Sequence, residues 1–266
     1  MAGDGHKLMS RFERGVLIAL SFLIAVYGIV AEVKNRLPIQ APDQTVADQI
    51  IATGAAENAV PSIDDPKFES VAMADAHLSD AGFGIDVTVG SSHRFYPFQI
   101  LVWHEIVNDV FGGKNIAVTY DPLCGSAIVY ERGESMFVTS GSVYNNNLVM
   151  RDLESKTLWS QLSGLAIEGE RAGTTLALYP SSVVSWTDWK AKHPDGDVLS
   201  RKTGVIRDYT SNPYAGYETS ADIYFPLSKL DAARPAKELV TGTDGRSAYW
   251  FCWAAQDTGE VITEQE

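Results

Sequence analysis

The sequence predicts an α+β fold, a β-rich single globular domain of many short strands with a few helices, preceded by an N-terminal transmembrane helix. Three observations predict it. Short apolar or alternating stretches recur between residues 85 and 254, separated by turns rich in Gly, Asn and Pro, which is the pattern of half-buried strands. Few stretches in that span carry apolar residues at helical spacing. Residues 15–31, GVLIALSFLIAVYGIVA, are uncharged and almost wholly apolar, close to the minimum of about 17 residues for crossing a bilayer.

Taken in order, residues 1–14 carry Lys7, Arg11 and Arg14, a bias toward a cytoplasmic N-terminus. Residues 15–31 form the expected anchor. The rival reading is a cleaved signal peptide, but the apolar run is long for one and no clean Ala-x-Ala site follows. Either way the bulk of the chain is expected in the periplasm or at the cell exterior. Residues 32–59 read as a polar linker with a short helix near 46–53, and residues 60–266 as the extracytoplasmic domain. Within it, strands are expected at 85–89 and 94–96 around Gly90-Ser91-Ser92. Pro97 then suits the first turn of a helix running to a Gly112-Gly113 stop. Further strands follow at 116–120, 127–130 and 135–139, with short apolar pieces at 148–150 and 157–159 and a strand at 176–179. A second helix is expected at 184–192, where Trp186 and Trp189 share a face. A short strand at 198–199, a long loop at 208–226 and a terminal hairpin built on 239–240 and 248–254 complete the chain.

The chain has 266 residues and a formal net charge of −13. That balance argues against nucleic acid, whose phosphates require a basic surface, and against docking on anionic lipid heads. The apolar run makes the lipid bilayer the expected partner, through residues 15–31; neither a small-molecule nor a protein ligand is specified. No GxxxxGKS, GxGxxG or GxSxG occurs, so nucleotide binding and α/β-hydrolase chemistry have no support. Only two cysteines exist, Cys124 and Cys252. They are too few for a disulfide scaffold, although an exported chain could pair them.

The chemistry concentrates in residues 96–130. On a helix from Pro97, residues Ile100, Val107 and Phe111 form an apolar stripe that contains His104 and has Asn108 at its edge. Glu105 and Asp109 fall on the opposite face, toward solvent. The run HEIVND resembles the HExxH of zinc proteases but has Asn108 where the second His belongs. Cys124 sits in a tight turn marked by Pro122 and Gly125, where a thiol gains reactivity from a neighbouring cation or histidine. Cys124, His104 and Asn108 are thus the candidate catalytic residues. Cys124 and His104, with Met150, also form a ligand set suited to a soft transition metal ion. The plainer readings are a core histidine bonded to backbone and a cysteine acting as a small hydrophobe. Tyr144, Asn145, Trp159 and Gln161 are candidate pocket-wall residues, from the Asn-rich turn and the alternating strand that follow.

The segments VPSIDDPKF, YPFQILVWHEIVND, VTYDPLCGSAIVY, SGSVYNNNLVM, LWSQLSGLAIEG, HPDGDVLS and RDYTSNPYAGY occur in this order. Together they resemble the bacterial and archaeal family of domains of unknown function (DUF) 3179, over about residues 60–255. The resemblance implies an exported or membrane-anchored protein and no established activity. Family members typically show Cys-Pro-Leu-Cys where this chain has Asp121-Pro122-Leu123-Cys124. Asp121 then enters as a candidate oxygen ligand beside His104, Cys124 and Met150, and any thiol chemistry must use one thiol. Two functional expectations follow. One is a metal-binding or thiol-dependent site on Cys124 and His104. The other is a non-catalytic cell-surface binding or scaffolding module in which Cys124 is structural.

Overall fold

The computed structural model describes residues 48–227, 235–243 and 248–252. The expected anchor and most of the expected linker lie outside them, as does the side chain of Cys252 and with it any pairing to Cys124. Strands β1 (Ile51–Ala52) and β2 (Phe68–Ser70) precede the short helix α1 (Val71–Asp75). Next come β3 (Phe83–Val89), β4 (Ser92–Pro97), helix α2 (Phe98–Leu101), β5 (Ile106–Phe111), β6 (Lys114–Asp121) and β7 (Ser126–Glu131). They are followed by β8 (Phe137–Tyr144), β9 (Asn147–Asp152), β10 (Leu158–Ser160), β11 (Ala166–Glu168) and β12 (Ala177–Leu178). The chain continues through β13 (Ser181–Ser185), helix α3 (Trp186–Lys192), β14 (Asp197–Leu199), β15 (Leu239–Thr243) and β16 (Ala248–Cys252). The expected β-rich domain with few helices is what the described residues form.

Three sheets stack. Their strand orders are β13-β3-β4-β14-β2, β12-β7-β6-β5 and β1-β8-β9-β10-β11, and β15-β16 forms a separate hairpin. Alternate side chains of the middle sheet explain the stacking. Val107, Phe111, Ile116, Val118, Ala127 and Val129 pack toward β3 and β4 with Ile85, Val87 and Tyr96. Ile106, Ala117, Ile128 and Tyr130 pack the other way, with Phe137, Met150 and Trp159. Strands covered on both faces need near-continuous burial, and β7 is buried at every position except Glu131. A third cluster seats α1 and α3 on the outer sheet, with Trp186 and Trp189 against Phe95.

The long helix expected from Pro97 is not formed. Helix α2 ends at Leu101, residues 102–105 turn, and Ile106 begins a strand. Apolar residues at 100, 103, 107, 110 and 111 fit a helical stripe. The β-branched residues Ile106, Val107 and Val110 and the Gly-Gly pair favour a strand and hairpin instead. Gly112 and Gly113 have φ of 54° and 77°, the left-handed values a two-residue hairpin loop requires, and Phe111 pairs with Lys114. The change of period reverses two side-chain assignments. Glu105 and Asp109, expected at the solvent face, are buried at 7% and 3% exposure. Asp109 accepts from Arg94 Nη1 at 2.7 Å and from the Tyr96 hydroxyl at 2.5 Å. The helix expected near 46–53 is also absent from the described part of that stretch. Instead β1 pairs with β8 through Ile51 and Val143. Thr53 N and Asn58 N then donate to Gly141 O and Thr139 O at 3.0 and 2.8 Å, so the end of the expected linker is part of the domain.

Candidate functional site

Strand β6 ends at Asp121 and β7 resumes at Ser126, and residues 122–125 close the tight turn expected between them. Gly125 takes φ +61°, and a Cβ there would come within 2.7 Å of Leu239 Cδ2. The turn buries rather than presents its thiol, since Cys124 is 1% exposed. What the turn does present is backbone N–H. Asp121 Oδ1 accepts from Leu123 N at 2.9 Å, and the Cys124 N–H also bonds this carboxylate. Its Oδ2 accepts from Asn147 Nδ2 at 2.8 Å and Leu148 N at 3.0 Å.

Asn147 arrives from the hairpin between β8 and β9. Asn145 and Asn146 occupy its loop at φ 50° and 58°, which Asn tolerates better than most residues. Behind Asp121 the amide Nδ2 of Asn147 also reaches Ser126 Oγ and Gln161 Oε1 at 3.1 and 3.0 Å. Gln161 Nε2 donates to Thr119 Oγ1 at 2.8 Å. All of these side chains are buried, so a chain of satisfied polar groups fills the space between the middle sheet and the β8-β9-β10 sheet.

In front of Asp121 lies a cavity of about 250 Å³. Glu105 and Asp121 supply its acidic wall, Tyr214, Tyr224 and Phe225 its aromatic wall, and residues 53–60 part of its rim. None of the described residues lining it is basic. Glu105 is held there by a constrained backbone. Its φ is +59°, a conformation that costs a non-glycine residue about 1–3 kcal/mol. It persists because Glu105 N donates to Leu101 O and Glu105 O accepts from Tyr120 N, at 2.7 and 2.8 Å. The Tyr214 hydroxyl donates to Glu105 Oε1 at 3.3 Å. Burial, reinforced by the nearby Asp121 charge, pushes the Glu105 carboxyl up to about 8. Burial also pushes Asp121 up to about 6, against the pull of its four donors. Burial and the same two acids raise the Tyr214 phenol as well. At neutral pH Glu105 is mostly protonated beside a mostly ionised Asp121. It can exchange a proton in the physiological range, and the cavity favours a positive charge.

The residues singled out from the sequence fall in different places. His104 is fully buried but lies outside the cavity lining. Pro61 O offers only an acceptor, so His104 Nδ1 carries the proton and donates to it at 2.7 Å; Nε2 then accepts from the Tyr209 hydroxyl at 2.6 Å. Burial lowers its pKa, leaving it neutral. These two bonds pin residues 61 and 209 to the turn after α2. Asn108 donates to Asp64 Oδ1 and Phe137 O and accepts from Phe137 N, at 2.7, 2.8 and 2.9 Å. It joins β5 to β8. Asn108→Ala is therefore expected to destabilise the fold by about 2–4 kcal/mol, because it strands a buried backbone N–H and C=O. A urea titration reads this as a lowered midpoint with an unchanged slope.

Met150 is packed in the apolar cluster with Trp159. Of the expected metal set, only Asp121 lines the cavity. Of the expected pocket wall, Tyr144, Asn145, Trp159 and Gln161 do not line it. Tyr144 packs with Val149 and Leu158, Asn145 serves the hairpin loop, Trp159 Nε1 donates to Asp152 Oδ2 at 2.9 Å, and Gln161 lies one layer behind. Among the described residues, the group whose donor atoms converge as metal ligands do is instead Asp86, His93 and His193. The helical reading hid Glu105. Nothing in local spacing marked the triad, because His193 follows Asp86 by more than a hundred residues.

The family model described as "Protein of unknown function (DUF3179)" matches residues 57–249. The chain belongs to that family. The DUF3179 match contains Glu105, Asp121 and Tyr214, as well as Asp86, His93 and His193. Comparison with curated proteins and with solved structures finds no significant match. At the position where the DUF3179 resemblance leads one to expect a first cysteine, this chain has Asp121, with four donors converging on it. Its surroundings are those of a carboxylate.

Proposed function

We propose that this DUF3179 domain is a binding module held outside the membrane by residues 15–31, and that its cavity takes a small organic cation with an apolar body. The observation that carries the ligand class is the cavity wall itself: two buried carboxyls, two tyrosines and a phenylalanine, with no basic residue among the described lining. A buried acid with no cationic partner is costly to ionise, and a ligand ammonium would supply the missing charge. The faces of Tyr214, Tyr224 and Phe225 suit the same ligand, since aromatic rings attract quaternary ammonium groups. A cavity of about 250 Å³ admits only a small one. The membrane placement rests on the apolar run at 15–31 and its flanking charges. Among the described residues no helix is long and apolar enough to cross a membrane.

Tetramethylammonium chloride tests the reading, because its charge does not titrate. Calorimetric titration of the full-length protein, with sodium chloride as the control, is expected to show saturable binding. Affinity should rise by about tenfold per pH unit between pH 6 and 8, as one proton leaves Glu105 for each cation bound. Above pH 8 it should level off. Glu105→Gln should weaken binding and flatten the pH profile, whereas Asn108→Ala should leave the affinity of the folded protein unchanged. Equal binding of neutral tert-butanol, or no tetramethylammonium binding at pH 9, rejects the proposal.

A further inference from the structure

We propose that Asp86, His93 and His193 together bind a divalent first-row transition-metal ion. The three residues come from separate elements. Asp86 and Thr88 point to the same face of β3, two residues apart, and His93 on β4 lies directly opposite Thr88. Helix α3 covers that face through Trp189, and His193 is its C-terminal cap. The potential donor atoms all lie within 4.8 Å of one another. Ligands of a tetrahedral ion with bonds of about 2.0–2.1 Å sit roughly 3.3–3.4 Å apart. Small side-chain rotations therefore close the site, without backbone movement.

Two of the three donors, His93 and Asp86, are already oriented from behind. His93 Nδ1 lies 2.9 Å from Thr88 Oγ1, which leaves Nε2 to face an ion. Asp86 Oδ1 accepts from Trp189 Nε1 at 2.8 Å, which leaves Oδ2. Such outer hydrogen bonds are the usual support of metal-binding His and Asp. The two imidazole rings are stacked, with centroids 3.7 Å apart and planes inclined by 28°. Burial lowers the pKa of His193, and His93 and Lys192 lower it further while Asp86 opposes them. A cleft of about 350 Å³, bounded by residues including Ser91, Asp195 and Asp197, borders both histidines and gives an ion a way in. Two imidazoles and one carboxylate suit Zn²⁺, Cu²⁺ or Ni²⁺ better than Mg²⁺ or Ca²⁺. Three protein donors also leave one position of a four-coordinate ion for water or a ligand from the cleft.

Untagged full-length protein dialysed against zinc chloride is the test. One zinc per chain is expected by atomic absorption. Affinity should fall by tenfold or more in His93→Ala and in His193→Ala, and by about tenfold in Thr88→Val, which removes only the support behind His93. Thr88 is exposed and His93 half-buried on a hairpin, so these two variants decide the matter even if His193→Ala fails to fold. In the copper-loaded protein, electron paramagnetic resonance should show coupling to two nitrogens, reduced to one by His93→Ala. Glu105→Gln should keep its zinc, so this site and the cavity stand or fall separately. Failure of the wild type to hold zinc above the level retained by His93→Ala overturns the proposal, as does full affinity in Thr88→Val.

Discussion

Glu105→Gln is expected to make the protein more stable at pH 8–9 and to change its stability little at pH 4. The sign follows from the raised folded-state pKa, about 8 against 4.5 for an ordinary glutamate. Between those values the unfolded chain has released a proton that the folded chain still holds, so wild-type stability falls as pH rises through that window. Ionised Glu105 is then buried without a cation. Glutamine has the shape of the protonated acid and no such slope. The gain at pH 9 should be on the order of 3 kcal/mol, less than the full shift implies at about 1.4 kcal/mol per unit, because water entering the cavity relieves part of the penalty. His104, whose pKa burial lowers, contributes with the opposite sign in both proteins and cancels in the difference. Urea midpoints of the two proteins from pH 4 to pH 9 measure the effect. Curves that stay parallel across this range would remove the case for an unneutralised acid at the cavity wall.

Asp121→Ala is expected to cost about 3–5 kcal/mol at pH 7. It removes the acceptor for Leu123 N, Cys124 N, Leu148 N and Asn147 Nδ2 at once, and buried donors left unpaired cost about 1–3 kcal/mol each, with partial relief by water. Asp121→Cys, which installs the Cys-x-x-Cys pair expected from the resemblance, should be little better, because a thiol is a weak acceptor. The same substitutions remove a neighbouring negative charge from Glu105, so its carboxyl should titrate lower and the stability slope between pH 5 and 8 should shrink. A double-mutant cycle with Glu105→Gln at pH 8 is therefore expected to be non-additive. Denaturation midpoints that combine additively would show that the two acids do not interact.

The β-rich class was legible because turn residues punctuate short apolar runs throughout. The Asp121–Ser126 turn, the Asn-rich hairpin and the Trp186–Trp189 helix each carried a local signature. The stretch from Pro97 to Phe111 misled because its apolar residues satisfy a helical stripe. In a sheet buried on both faces there is no alternation to oppose that reading. The signal that was available is the Gly112-Gly113 pair between two runs rich in β-branched residues, a hairpin mark. Reading it as a helix stop sent Glu105 and Asp109 to solvent, and the cavity's central acid was lost with them. His104 was placed inside on a mistaken geometry and is nevertheless buried. The metal triad was out of reach for a different reason: tertiary pairing alone brings residue 193 beside residues 86 and 93.

The sheet that carries that triad also sets a timetable for the nascent chain. Strands β3 and β4 form early in synthesis, but β13 must come back to β3, and β14 must slot in parallel to β4 between it and β2. Leu199 has to leave the ribosome before these partners can meet. At about 5–20 residues per second, synthesis of the intervening hundred-odd residues takes on the order of ten seconds, during which the apolar edges of β3 and β4 lack their neighbours. Such non-local pairing is intrinsically slow. Closure of this sheet thus waits for Leu199, and until then the β3-β4 hairpin stands without its neighbours on either side.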